Sequence, residues 1–153
     1  MEARSPTEKA SFRDIAAAAT DLLDQGAAID RLSRPITVTA VIGLMIGLGL
    51  GLGALLIAAL LVVTLAGLAE TYLALRTGFD AALFRRLAAF SCDTGLAGLD
   101  AALSELGVSN QAEHTIAQRA LGARRRLVLQ GAALVLQIAV VLIATALAQA
   151  HAG

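Results

Sequence analysis

Tryptophan is absent from this chain, cysteine occurs once and proline twice, and aromatic residues make up only 3%. One cysteine, Cys92, excludes an internal disulfide and a multi-cysteine metal cage. The lack of aromatics leaves little for an interfacial belt beyond Tyr72 and a few phenylalanines, so anchoring at a membrane surface falls to arginine. Lysine is also scarce, since eleven of the twelve basic residues are Arg, and with alanine and leucine abundant this bias fits a GC-rich bacterial genome. Basic and acidic residues balance at 12 each, which argues against a nucleic-acid-binding tail. The most informative absence is local: no charged residue occurs from Ile36 to Ala69.

What is present is grease. The chain is 58% hydrophobic over 153 residues, with mean hydropathy +0.75. One soluble domain of that size cannot hide so much apolar surface, so the reading is an all-α integral membrane protein in contact with the lipid bilayer. Residues 1–35 do not read as a secretory signal, because Glu2, Glu8 and Asp14 interrupt the charge pattern and the apolar stretch begins late. Within that segment Phe12, Ile15, Ala19, Leu22, Leu23 and Ile29 recur at helical spacing, predicting an amphipathic helix broken near Gly26, with Pro35 closing it or opening the next one.

Two apolar segments follow, 36–69 and 127–148, with a tail at 149–153. At about 1.5 Å per residue the first is roughly 51 Å long and the second roughly 33 Å, against a hydrocarbon core of about 30 Å. The second therefore fits one crossing. If the two pack antiparallel, Arg124, Arg125 and Arg126 mark the interface near Glu70, and the first crossing covers about 45–68. A tight hairpin near Gly49 is the rival arrangement, but its arms of roughly 17 residues fall short of the about 20 that a crossing needs. The expectation is thus an antiparallel two-helix transmembrane hairpin, with Glu70 as a boundary residue in reach of water.

Between the crossings, residues 70–126 read as a water-exposed helical hairpin. Tyr72, Leu75, Phe79 and Leu83 continue the first helix, and Leu96, Leu99 and Leu103 give a short second helix whose leucines need that face as partner. Asn110 and Glu113 have capping-box spacing ahead of the last helix. Arg119, Arg124, Arg125 and Arg126 form the densest positive cluster, suited to topology anchoring and to anionic lipid headgroups. The excess of arginine in this connector places it in the cytoplasm, in a bacterial inner membrane, with both termini outside.

Small residues mark a packing face. Gly43, Gly47 and Gly51 form overlapping GxxxG units, a glycine zipper that Ala40, Ala54 and Ala58 lengthen, for packing within the chain, in a homo-oligomer or against another subunit. The alternating glycines resemble the first helix of the proton-carrying ring subunit of rotary ATP synthases. That family carries a carboxylate in the middle of its second helix, where this chain has Gln137, so its function is not carried over. Gln130 and Gln137 share a face with Ala133 and Ala144, and amides facing acyl chains would lack partners, so this face looks at protein.

No catalytic or metal site emerges, and no cofactor is implied. His114 and His151 lack a second ligand at metal spacing, and Cys92 has no activating base beside it. The functional expectation is a non-catalytic membrane subunit or scaffold docking a partner through its hairpin. A pore, channel or transporter component is the alternative, and a holin-like disruptor a third.

Overall fold

In a computed structural model, which describes residues 6–89, 105 and 116–152, the described residues are helical apart from short turns, with no strand among them. Four long helices follow one another: α1 (Pro6–Asp24), α2 (Gly26–Leu50), α3 (Ala54–Ala89) and α4 (Ile116–Ala152). Among the described residues three stretches are long and apolar enough to cross a membrane: Arg13–Leu50, Ala54–Arg86 and Ala117–Ala150. The expected pair of crossings thus becomes three candidates, and the change has one local cause. The uncharged run does not continue as one helix but turns at Gly51–Gly53.

Gly51 is the residue that permits the turn. Its φ of 66° and ψ of 38° are left-handed, a conformation nearly free of cost only without a β-carbon. The Gly51 N–H donates to the Leu48 carbonyl and the Leu52 N–H to the Gly47 carbonyl, at 3.4 and 2.9 Å. This pair of bonds is the Schellman arrangement that terminates helices. α3 then starts immediately, with the Gly53 carbonyl accepting from Leu56 and Ile57. A crossing over 45–68 would contain this turn and is corrected accordingly. The argument from short arms fails because α2 starts at Gly26, ten residues before the uncharged run, and carries Pro35 inside it rather than at its end.

The chain divides into two compact units, one formed by Met1–Asp24 and Thr77–Arg125, the other by Gln25–Arg76 and Arg126–Gly153. In the first unit the buried residues include Ala16, Thr20 and Leu23 of α1, Thr77, Ala81 and Phe84 of α3, and Ala123 of α4. Asp24 at the end of α1 accepts from Arg85 Nη2 at 2.9 Å through both carboxylate oxygens. Both side chains of that ion pair are exposed.

In the second unit α2, α3 and α4 pack with an interior made of small and polar groups. α2 buries Gly26, Ser33, Thr37, Ala40 and Gly47. Among the described residues the largest fully buried side chains are Gln130, Gln137, Glu70 and Ser33 here and Thr77 in the first unit, all polar. Val63, Leu127 and Leu134 are buried beside them, but most large apolar side chains point outward, among them Val38, Ile42, Met45, Ile46, Leu55, Leu65, Val135, Leu142 and Ile143. Water-soluble bundles have the opposite distribution.

Candidate functional site

The most organised chemistry lies inside the second unit, where two glutamines of α4 each bridge α2 and α3. Gln137 accepts from the Ser33 hydroxyl at 2.7 Å through Oε1. Its Nε2 donates to Thr37 Oγ1 at 2.9 Å and to the Val63 carbonyl at 3.2 Å. The Thr37 hydroxyl in turn donates to the Ser33 carbonyl at 3.0 Å. Every polar group in this layer has a partner, so it fastens three helices at one level without a residual demand.

Seven residues earlier on α4 the arrangement repeats with different chemistry. Gln130 Nε2 donates to the Gly26 carbonyl and to Glu70 Oε1, both at 2.8 Å. The step from 130 to 137 on α4 matches the step from 26 to 33 on α2 and the reverse step from 70 to 63 on α3. α4 therefore runs parallel to α2 and antiparallel to α3, with the layers two helical turns apart. Each bridging bond between helices in an apolar medium contributes on the order of 1 kcal/mol, and their geometry fixes register as well.

Glu70 differs from the expectation of a boundary residue in reach of water: its exposure is 0%. Its second oxygen, Oε2, has no hydrogen-bond partner, and neither has Gln130 Oε1. Two charged groups of α2 are paired with each other. Arg34 donates from Nε to Asp30 at 3.0 Å, and its Nη2 lies 2.7 Å from the same carboxylate. Among the described residues no three His, Cys, Asp or Glu side chains converge as a metal site.

The small-residue positions separate by what surrounds them. Ala40 and Gly47 are buried in α2. A β-carbon at Gly43 would stand 3.3 Å from Leu60, and one at Gly47 would meet Ile57 at 2.8 Å and Leu52 at 3.4 Å. These two glycines therefore face residues of their own chain. Gly51 lies in the turn rather than on a helical stripe, and Ala54 and Ala58 are exposed. Ala133 is half-buried, and Ala144 lines an open apolar groove with Pro35, Ile36, Leu60 and Val140. The tightest approach is at Gly67, which the sequence reading passed over: a β-carbon there would overlap the Thr37 side chain and crowd the Gln137 amide.

Of the residues expected to meet across a hairpin, Tyr72, Leu75 and Phe79 are exposed and Leu83 is half-buried. Leu96, Leu99 and Leu103 lie outside the described residues, as do Cys92 and the Asn110–Glu113 cap. Arg124 and Arg125 are exposed, whereas Arg119 and Arg126 are half-buried and engaged in interactions.

Sequence signals for the missed members existed. Gly26, Ser33, Ala40 and Gly47 recur every seven residues along α2, the same interval that separates Gln130 from Gln137 and Val63 from Glu70. Comparison with protein families, curated proteins and solved structures found no match.

Proposed function

We propose that the chain is an integral membrane protein that crosses the bilayer three times, through α2, α3 and α4, and serves as a non-catalytic anchor and scaffold. One observation carries the membrane reading: among the described residues the largest fully buried side chains are polar, while most leucines, valines and isoleucines lie on the outside. In lipid, polar groups gain by turning inward to one another and apolar groups lose nothing by facing out. In water the same arrangement would leave an apolar surface far larger than monomers tolerate.

Charge supports three crossings over two. With the turn at Gly51 on one side and the connector on the other, all twelve Lys and Arg fall on the side of the N-terminus and connector. The turn and the tail after Ala148 have none. The positive-inside rule then places residues 1–34 and the connector in the cytoplasm, for a bacterial inner membrane, and the Gly51 turn outside. The uncharged arms, Pro35–Leu50 and Ala54–Ala69, are roughly 24 Å each at about 1.5 Å per residue. The turn and the headgroup zone make up the difference from about 30 Å, and Arg34, with 63% of its side chain exposed, reaches outward to that zone.

The scaffold role rests on how the contact surfaces are used. The glutamine face and Gly43, Gly47 and Gly67 are occupied within the chain, which favours a self-contained anchor over a pore lined by those faces. Cytoplasmic arginines, including Arg124 and Arg125, meet anionic headgroups, and the cytoplasmic helices dock a partner subunit or a second copy.

Alkaline carbonate should leave the protein in the membrane pellet, and purified protein in liposomes should hold an ion gradient as long as protein-free vesicles do. Release into the carbonate supernatant would defeat the membrane reading. Leakage that disappears in Gln137→Leu would replace the scaffold by a pore.

A further inference from the structure

Two buried oxygens of one layer lack a partner, and both belong to the same hydrogen-bonded pair: Glu70 Oε2 and Gln130 Oε1. We infer that the Glu70–Gln130 pair is a proton-binding site, in which one proton on Glu70 Oε2 is shared with Gln130 Oε1 and closes a carboxylic acid–amide ring between α3 and α4.

The chemistry is complementary at every atom. Gln130 Nε2 already donates to Glu70 Oε1 and to the Gly26 carbonyl, which uses both of its N–H groups. Turning the amide over would set its oxygen against two acceptors, so the Gly26 carbonyl holds the orientation. What remains on each partner is an acceptor. An ionised carboxylate offers only acceptors, whereas the acid form offers one O–H donor, and that donor is what Gln130 Oε1 lacks. One proton taken from water on closure of the helices therefore satisfies both orphans and removes a buried charge, with no other atom or electron required.

Among the described residues, no cation donates a hydrogen bond to Glu70 Oε2. On α2, the charge of Arg34 acts on Glu70 only from a distance, because its guanidinium is bound to Asp30 and mostly exposed. On α4, Arg126 sits one turn before Gln130 and is engaged in an interaction, and no hydrogen bond reaches Glu70 Oε2. On α3, Tyr72 and Arg76 are exposed. The third buried orphan, Thr77 Oγ1, lies in the other unit and carries a proton already. The inference rests on the burial of the pair and holds with or without a bilayer around it, so its failure is separable from failure of the membrane reading.

The test uses full-length protein with 13C-carboxyl glutamate, which labels Glu2, Glu8, Glu70, Glu105 and Glu113. At neutral pH the infrared spectrum should contain the C=O band of one protonated glutamic acid. That band should be absent in Glu70→Gln, whose helicity should equal that of the parent. Because the folded state then holds one proton more than the unfolded state at neutral pH, the unfolding midpoint should fall as pH rises, and in Glu70→Gln it should not. If that variant fails to fold, the 13C resonances of the parent decide: one glutamate should be in its acid form at neutral pH. A spectrum of carboxylates only, or a band that survives Glu70→Gln, overturns the inference. Loss of the band on adding Na⁺ or K⁺ at constant pH overturns it in favour of an alkali-cation site.

Discussion

Gly67→Ala adds a single methyl group, and the layered packing makes its effect calculable. The new β-carbon would overlap Thr37 and press on the Gln137 amide, so α2 and α4 must both move away from α3 at the level of the saturated layer. Overpacking of this kind costs about 1–3 kcal/mol. The bonds from Gln137 Nε2 to Thr37 and to the Val63 carbonyl, at 2.9 and 3.2 Å, would stretch or break, adding roughly 0.6–1.7 kcal/mol each. Alanine returns about 1 kcal/mol through its helix propensity. The net loss is on the order of 1–5 kcal/mol, measured by reversible unfolding in mixed micelles with helicity as the signal. Gly78→Ala and Gly122→Ala are the controls, since a β-carbon at either meets nothing within 4 Å, and each should gain up to about 1 kcal/mol. A Gly67→Ala protein as stable as the parent, or controls destabilised as much, would refute the layered packing.

Other substitutions probe the remaining parts. Gln137→Leu removes three bonds to Ser33, Thr37 and Val63 and should cost about 2–3 kcal/mol in the same assay; a neutral result would mean the layer does not hold the helices. Gly51→Ala forces a β-carbon into a left-handed turn and should cost about 1 kcal/mol, with Gly51→Asn milder; equal stabilities by thermal unfolding would speak against the turn. Asp24→Ala breaks an exposed ion pair with Arg85. Its effect should stay below about 1 kcal/mol and vanish at high salt, and a larger, salt-insensitive loss would contradict that exposure.

The helical class and the apolar segments were legible because they depend on composition and run length, which lipid and backbone geometry constrain directly. The glutamines stood out because a primary amide in an uncharged run needs a partner wherever the chain folds. The number of membrane-length helices was misread at Pro35 and Gly51. A proline at a helix end is the ordinary expectation, but α2 passes through Pro35, so the first arm is longer than its uncharged part. Five alternating glycines gave no local sign of which one turns, and only Gly51 has positive φ. Glu70 was read as an interfacial residue because its depth was measured along one helix. Its burial depends on α4 delivering Gln130 to it, which is tertiary information. The heptad Gly26, Ser33, Ala40 and Gly47 carried part of that information, but the four-residue interval of Gly43, Gly47 and Gly51 masked it.

Whether the Gly51–Gly53 turn reaches the far side of the membrane is best decided with one engineered thiol. In a Cys92→Ser background, Gly53→Cys should react with a membrane-impermeant maleimide added to intact cells, while Cys92 in the otherwise unaltered chain should react only after the membrane is opened and the protein denatured. A β-carbon at Gly53 meets nothing within 4 Å, so the substitution leaves the packing undisturbed. A thiol at position 53 that stays unlabelled until detergent is added would put the turn inside the bilayer and contradict three crossings.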